Sequence, residues 1–128
     1  MTMTAAAFRP VLYLKRSCPF CLKAVAFLTE AGQLDSVELR AFWPGDEDEA
    51  PIRAALAPHL DKVTFPTLEV EPGRFIADSD AIVALYAQKA GLDPATAPFY
   101  QYVMAGPFRR LREAFAEQQE LEKLRAQG

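Results

Sequence analysis

Val11-Leu12-Tyr13-Leu14-Lys15-Arg16-Ser17-Cys18-Pro19-Phe20-Cys21 is the stretch that decides the fold. Four consecutive apolar residues after Arg9-Pro10 read as a buried strand. Lys15-Arg16-Ser17 breaks it. Pro19 suits the first turn of a helix, where its missing N–H costs nothing. Beyond it Ala24, Leu28 and Ala31 recur at helical spacing, with Val25 and Phe27 widening the apolar face. A helix over residues 19–31 follows, with Gly32 as its stop. Cys18 falls at the start of that helix and Cys21 about one turn inside it.

Working toward the C-terminus, residues 37–42 alternate apolar and polar, which predicts a second strand. Trp43-Pro44-Gly45 ends it. The acid run Asp46-Glu47-Asp48-Glu49 reads as negative charge favoured at the positive end of the next helix, not as a calcium loop, whose glycine-spaced ligand pattern it lacks. That helix is expected over residues 52–60, interrupted near Pro58. Thr67-Leu68-Glu69-Val70-Glu71 alternates as a strand, and Pro72-Gly73 turns it into a further strand at 74–77. Asp78-Ser79-Asp80 supplies a helix cap for a helix at 81–90, with Ile82, Leu85 and Tyr86 on one face and Gly91 at its end. The order β-α-β-α-β-β-α predicts one α/β domain over residues 1–92. Residues 93–128 read as a Pro/Ala linker and a C-terminal helical extension broken at Gly106-Pro107. In that extension Phe108, Leu111 and Phe115 share a face, and the apolar run at 99–104 is expected to pack back on the domain.

The chain carries 14 basic and 17 acidic residues, a formal charge of −3. No basic face for nucleic acid is implied. No stretch approaches the length of a membrane helix, and residues 1–7 read as a loose tail, not a signal peptide. A cytoplasmic protein is expected, where structural disulfides are rare. The two cysteines are Cys18 and Cys21. Their spacing suits a redox pair or half of a zinc site. Zinc needs about four ligands, and the single histidine, His59, comes with no second cysteine pair. His59 itself reads as a surface or capping residue.

A cysteine attacks as its thiolate, and an ordinary thiol is only a few per cent ionised at pH 7. Unpaired N–H groups and the dipole at a helix start favour negative charge at Cys18. Lys15 and Arg16 add positive potential. Cys18 is therefore expected at the exposed end and acidic, with Cys21 less accessible. Lowering a thiol pKa from about 8.5 to about 5 raises the thiolate fraction roughly thirtyfold at pH 7, while a Brønsted slope near 0.45 removes a similar factor. The advantage lies in the second step, where Cys18 leaves a mixed disulfide as a stable thiolate.

Over residues 11–90 the chain resembles the glutaredoxins, and more broadly the glutathione-binding N-terminal domain of glutathione transferases. Lys15-Arg16-Ser17-Cys18-Pro19-Phe20-Cys21 is similar to the dithiol glutaredoxin active site. Thr64-Phe65-Pro66 is similar to the Thr-Val-Pro segment whose proline is cis. Ile76-Ala77-Asp78-Ser79-Asp80 stands where glutaredoxins carry Gly-Gly-(Cys/Ser)-Asp and transferases Glu/Asp-Ser. Phe65 replaces a smaller residue, and Ala77-Asp78 replaces the glycine pair. The resemblance implies a thioredoxin-like, four-stranded mixed sheet flanked by helices. It also implies glutathione as co-substrate: Lys15 at its glycyl carboxylate, the backbone of Phe65 before Pro66 along its cysteinyl unit, and Ser79 and Asp80 at its γ-glutamyl end. The γ-glutamyl ammonium would suit Asp78 or Asp80.

The function so implied is reduction of glutathione mixed disulfides and protein disulfides, with Cys18 as nucleophile and Cys21 as resolving thiol. Glutathionylated or disulfide-bonded proteins would be its partners. Two alternatives stay open. One is a glutathione transferase, whose electrophile site is normally built by a following all-helical domain, for which residues 99–128 read as too short. The other is a non-catalytic glutathione-fold binding module. An iron–sulfur cluster bridged between two subunits by Cys18 and glutathione, and the oligomeric state, also stay open.

Overall fold

The computed structural model describes residues 8–127, so the expected tail at 1–7 lies outside the described residues. Strand β1 (Val11–Lys15) runs through the middle of the molecule. Strand β2 (Glu38–Phe42) pairs with it in parallel, and β3 (Thr67–Glu71) pairs with its other edge antiparallel. The hairpin partner β4 (Arg74–Ile76) completes a mixed sheet of order β2-β1-β3-β4. Pro72-Gly73 makes the turn, with Gly73 at φ +79°, a region that glycine enters without steric cost.

Alternation along β1 builds two cores, because successive side chains leave opposite faces. Leu12 and Leu14 meet α1 (Pro19–Glu30) and α3 (Ser79–Ala90) on one side. Val11 and Tyr13 meet α2 (Glu49–Leu56) through Phe42, Ile52 and Leu56 on the other. This is the thioredoxin-like layering implied by the resemblance, and the Phe65–Pro66 bond is cis as expected. Gly91, at φ +66°, ends α3 in a left-handed cap.

Several boundaries differ from expectation. Helix α2 begins at Glu49, not at residue 52, and ends at Leu56. Pro51 sits in its first turn, where no N–H is needed. The acid run folds the preceding turn: Asp46 accepts from the N–H groups of Trp43 and Asp48, and Glu49 from Gly45. Helix α3 starts at Ser79, directly after its cap Asp78, whose side chain accepts from Asp80 N–H at 3.0 Å. Its buried face is Ile82, Val83 and Tyr86, with Leu85 half-buried. Leu39 is exposed despite the apolar alternation of β2, because β2 is an edge strand.

After a 3-10 turn at Pro94–Thr96 come α4 (Pro98–Ala105) and α5 (Pro107–Gln127), both packed on α1. Tyr100 and Val103 of the run at 99–104 are buried, whereas Phe99 and Tyr102 face outward. No helix among the described residues is long and apolar enough to cross a membrane. The start of α4 needs outside help. Its cap Ala97 has no side-chain acceptor, and Pro98 has no N–H. Glu30, the last residue of α1, accepts from Phe99 N–H at 3.1 Å and Tyr100 N–H at 2.7 Å. One carboxylate thus joins the end of α1 to the start of α4. Glu30→Ala is expected to lower unfolding stability by about 1–2 kcal/mol. A denaturant midpoint that falls at unchanged slope checks this, and an unmoved midpoint would contradict it.

Candidate functional site

Cys18 is the N-cap of α1, with extended backbone and no conventional side-chain cap. The first N–H groups of the helix are therefore free to face its sulfur. The nearby Cys21 thiol and the Cys21 and Phe20 N–H groups favour the charged form of the Cys18 sulfur, and Lys15 adds positive potential. As a thiol, Cys18 has the Phe65 carbonyl as its acceptor, at a long 3.7 Å. Three donors for the thiolate against one weak acceptor for the thiol favour ionisation. The Cys18 pKa falls from 9.0 to about 6, led by the Cys21 thiol and opposed by burial. Cys21 is pushed the other way, by the neighbouring Cys18 sulfur, by burial and by the Cys18 charge. It stays a thiol and accepts from Lys15 N–H at 3.3 Å.

Two expectations about Cys18 need correction. It is not at an exposed end: Cys18 is 6% exposed and Cys21 4%. Arg16 is exposed and is not among the groups that perturb Cys18. The acidity comes mainly from the neighbouring thiol and from backbone N–H groups.

The remaining expected residues converge on Cys18 along two adjoining cavities. The first, about 320 Å³, is lined by Cys18, Lys15, Phe65 and Phe20 together with Arg53, Lys62, Phe115 and Gln119. The second, about 370 Å³, continues along Phe20, Thr64, Phe65 and Pro66 to Asp78, Ser79 and Asp80 at the start of α3. Both volumes lie toward the small end of ligand sites. The groove therefore has a basic end, a sulfur in the middle and a helix start at the far end. Phe65 lies edge-on to Phe42 at 4.9 Å, with the Arg53 guanidinium 5.3 Å from its ring. His59 stacks on Phe75 instead, away from the thiols.

Four residues of this groove were missed in the sequence. Arg53 and Lys62 join Lys15 at the basic end. Nothing local marks them, since α2 and the loop after it reach Cys18 through tertiary packing. Lys23 is buried and ion-paired with Asp80, whose side chain is 80% exposed. A signal existed: Lys23 lies four residues before Phe27 and seven before Glu30, a charge on the packed stripe of α1. Gln119, in the polar part of α5, gave no signal. The carboxylates of Asp78 and Asp80 each already have an internal partner, one at Asp80 N–H and one at Lys23.

The ionisation can be tested directly. Alkylation of Cys18 against pH is expected to reach half its maximal rate near pH 6. Below that pH the thiolate is protonated and the rate falls. Cys21→Ala removes the leading donor and should move the midpoint up toward the ordinary thiol range. A midpoint unmoved by Cys21→Ala would contradict the assigned cause.

Residues 12–95 match the family model described as the glutathione S-transferase N-terminal domain. Among curated proteins none matches the chain. Among solved structures the chain is similar to a possible glutathione S-transferase from Rhodopseudomonas palustris, at 21% identity over 63% of this chain and 40% of that one, with a TM-score of 0.48. It is similar also to glutaredoxin 2 from Salmonella typhimurium in complex with glutathione, at 23% identity over 76% and 44%, TM-score 0.49. A third is glutathione transferase Omega 2C from Trametes versicolor, at 22% identity over 84% and 46%, TM-score 0.46. The chain spans less than half the length of each of these proteins. With the family match running over most of its sequence, from residue 12 to residue 95, the chain belongs to the family of glutathione S-transferase N-terminal domains.

Proposed function

We propose that the protein is a glutathione-linked thiol–disulfide oxidoreductase in which the Cys18 thiolate is the nucleophile and Cys21 the resolving thiol. The observation that carries this reading is the opposite ionisation of the two cysteines at the start of α1, one held near pKa 6 and the other kept as a thiol. At a pKa of about 6 the thiolate gain at pH 7 is about thirtyfold over an ordinary thiol, and the loss of intrinsic nucleophilicity about tenfold. Attack gains slightly, and departure of Cys18 gains more.

The groove supports one direction for glutathione. Its glycyl carboxylate suits Lys15, Arg53 and Lys62. Its cysteinyl backbone suits the extended Phe65 main chain, held by Pro66, in the manner of an added strand. Its γ-glutamyl carboxylate suits the N–H of Ser79 at the start of α3. Its ammonium suits the remaining carboxylate oxygens of Asp78 or Asp80.

In the first step Cys18 attacks the glutathionyl sulfur of a mixed disulfide, forms the Cys18–glutathione disulfide and releases the substrate thiolate, which takes a proton. A second glutathione thiolate then attacks the same glutathionyl sulfur, forms glutathione disulfide and expels the Cys18 thiolate. Cys21 enters only for dithiol substrates. While Cys18 is a thiolate, its charge and its sulfur's proximity hold Cys21 protonated. Once Cys18 is bound in a disulfide, that charge vanishes, and Cys21 becomes more acidic at the step that needs it.

The family match and the wall that α5 adds to the groove favour glutathione conjugation as a second reading. Conjugation requires glutathione itself to be held as the thiolate. Here the donors at the start of α1 are spent on the protein's own sulfur, which favours disulfide exchange. Cys18→Ser is expected to abolish reduction of glutathione mixed disulfides. Cys21→Ser should keep that activity and accumulate one bound glutathione, visible by intact mass. Loss of activity in Cys21→Ser with retention in Cys18→Ser would overturn the assignment of roles, and conjugation of glutathione to a general electrophile without disulfide reduction would favour the transferase.

A further inference from the structure

Helix α5 crosses the entrance to Cys18. Near its start, Phe108 packs edge-on against Phe20, ring centroids 5.6 Å apart. Two turns later, Phe115 lies beside Lys15, whose ammonium is 5.7 Å from the ring centroid. Seven helical residues span about 10 Å. Lys15 and Phe20 bracket Cys18 in the sequence, so α5 is anchored on both sides of the nucleophile. Gln119, one turn beyond Phe115, shares the Cys18 cavity with Arg53 and Lys62. The other walls of that cavity come from the end of β1, the start of α1 and the segment before β3. Cys18 is 6% exposed beneath this arrangement.

Burial of this kind conflicts with reduction of disulfides set in folded protein surfaces. A disulfide on a folded protein can reach a thiol only if the surface around it lies close to the sulfur, and a specific protein interface covers about 800 Å² on each partner. The cavity over Cys18 is about 320 Å³, a size for part of a small molecule. Thiol–disulfide exchange also depends on access to the sulfur, not on thiolate content alone.

We infer that Phe115 and Gln119 of α5 are specificity-determining residues that restrict Cys18 to small, slender disulfides and exclude those set in folded protein surfaces. The inference rests on the disulfide-exchange reading and names its substrate class. The chemistry is unchanged: Cys18 takes the glutathionyl sulfur, and the released thiolate belongs to a low-molecular-weight thiol that can pass beside α5. Phe115 acts by bulk at the basic end, and Gln119 narrows the same opening.

The test uses Cys21→Ser, in which Cys18 is the sole thiol. Its alkylation is compared with iodoacetamide and with a maleimide carried on a long polyethylene glycol, each rate taken relative to a free cysteine peptide, so that thiolate content cancels. The bulky reagent is expected to be disfavoured by about tenfold or more. Phe115→Ala with Gln119→Ala should bring the ratio back toward that of the peptide. The same pair, in the chain with both cysteines, should shift the kcat/KM ratio between glutathionylated serum albumin and hydroxyethyl disulfide about tenfold toward the protein. Gln119→Trp, at an exposed position that tolerates bulk, should strengthen the discrimination, and Leu124→Ala, exposed farther along α5, should leave it where it was. Equal relative rates for the two reagents in the parent would overturn the inference, as would discrimination that survives removal of both side chains. Discrimination between the reagents in a protein that reduces neither disulfide would leave the wall standing but remove the disulfide-exchange reading, and the substrate assignment with it.

Discussion

The opposing influence of the Cys18 and Cys21 sulfurs on each other's ionisation is the interaction on which the rest of the site depends. It exists because strand β1 ends at Lys15 and α1 begins at Pro19, leaving Cys18 in extended backbone as the cap of a helix whose first donors are free. Helical spacing then brings Cys21 under Cys18 one turn on. The two sulfurs share one proton's worth of stabilisation: whatever favours charge on Cys18 disfavours it on Cys21. Titrations coupled in this way belong to the pair, so a change at either cysteine alters the ionisation of the other.

The elements around that pair were legible where a residue has one conformational use. Pro19 marks the start of α1, Pro72-Gly73 the hairpin, Asp78 the cap of α3 and Gly91 its end. The start of α2 lies three residues before the expected one, with Pro51 in its first turn and the end of the acid run, Glu49, as its first residue. Leu39 followed the right alternation on a strand with no neighbour to cover it. The candidate site divides in the same way. Cys18, Lys15, Phe65, Pro66, Asp78, Ser79 and Asp80 lie in compact local motifs, and the structure gathers them along one groove. Arg53, Lys62 and Gln119 reach it from α2, the loop after it and α5, and no local pattern encodes such meetings. The burial of Cys18 was hidden for the same reason, since covering a residue is a property of distant chain segments.

The helices beyond residue 92 also change what the groove can do. Glu30 ties α4 to the end of α1, and α5 runs from that anchor past Cys18. The apolar stripe Phe108, Leu111 and Phe115 is spent partly on the core and partly on the edge of the groove: Phe108 is buried, while Phe115 borders the cavity over Cys18. A thiol made acidic at its own helix start and bordered by another helix fits the selective exchange proposed above. The ion pair between Lys23 and Asp80 works at the other end, where it holds the acidic side chain of the α3 start against α1.

The most direct measurement is a crystal structure of Cys21→Ser after reaction with glutathione disulfide. The account predicts one glutathione joined through its sulfur to Cys18, its main chain paired with Phe65, its glycyl carboxylate among Lys15, Arg53 and Lys62, and its γ-glutamyl carboxylate at the N–H of Ser79. A reversed glutathione, or an unmodified Cys18 with glutathione bound elsewhere, would contradict it.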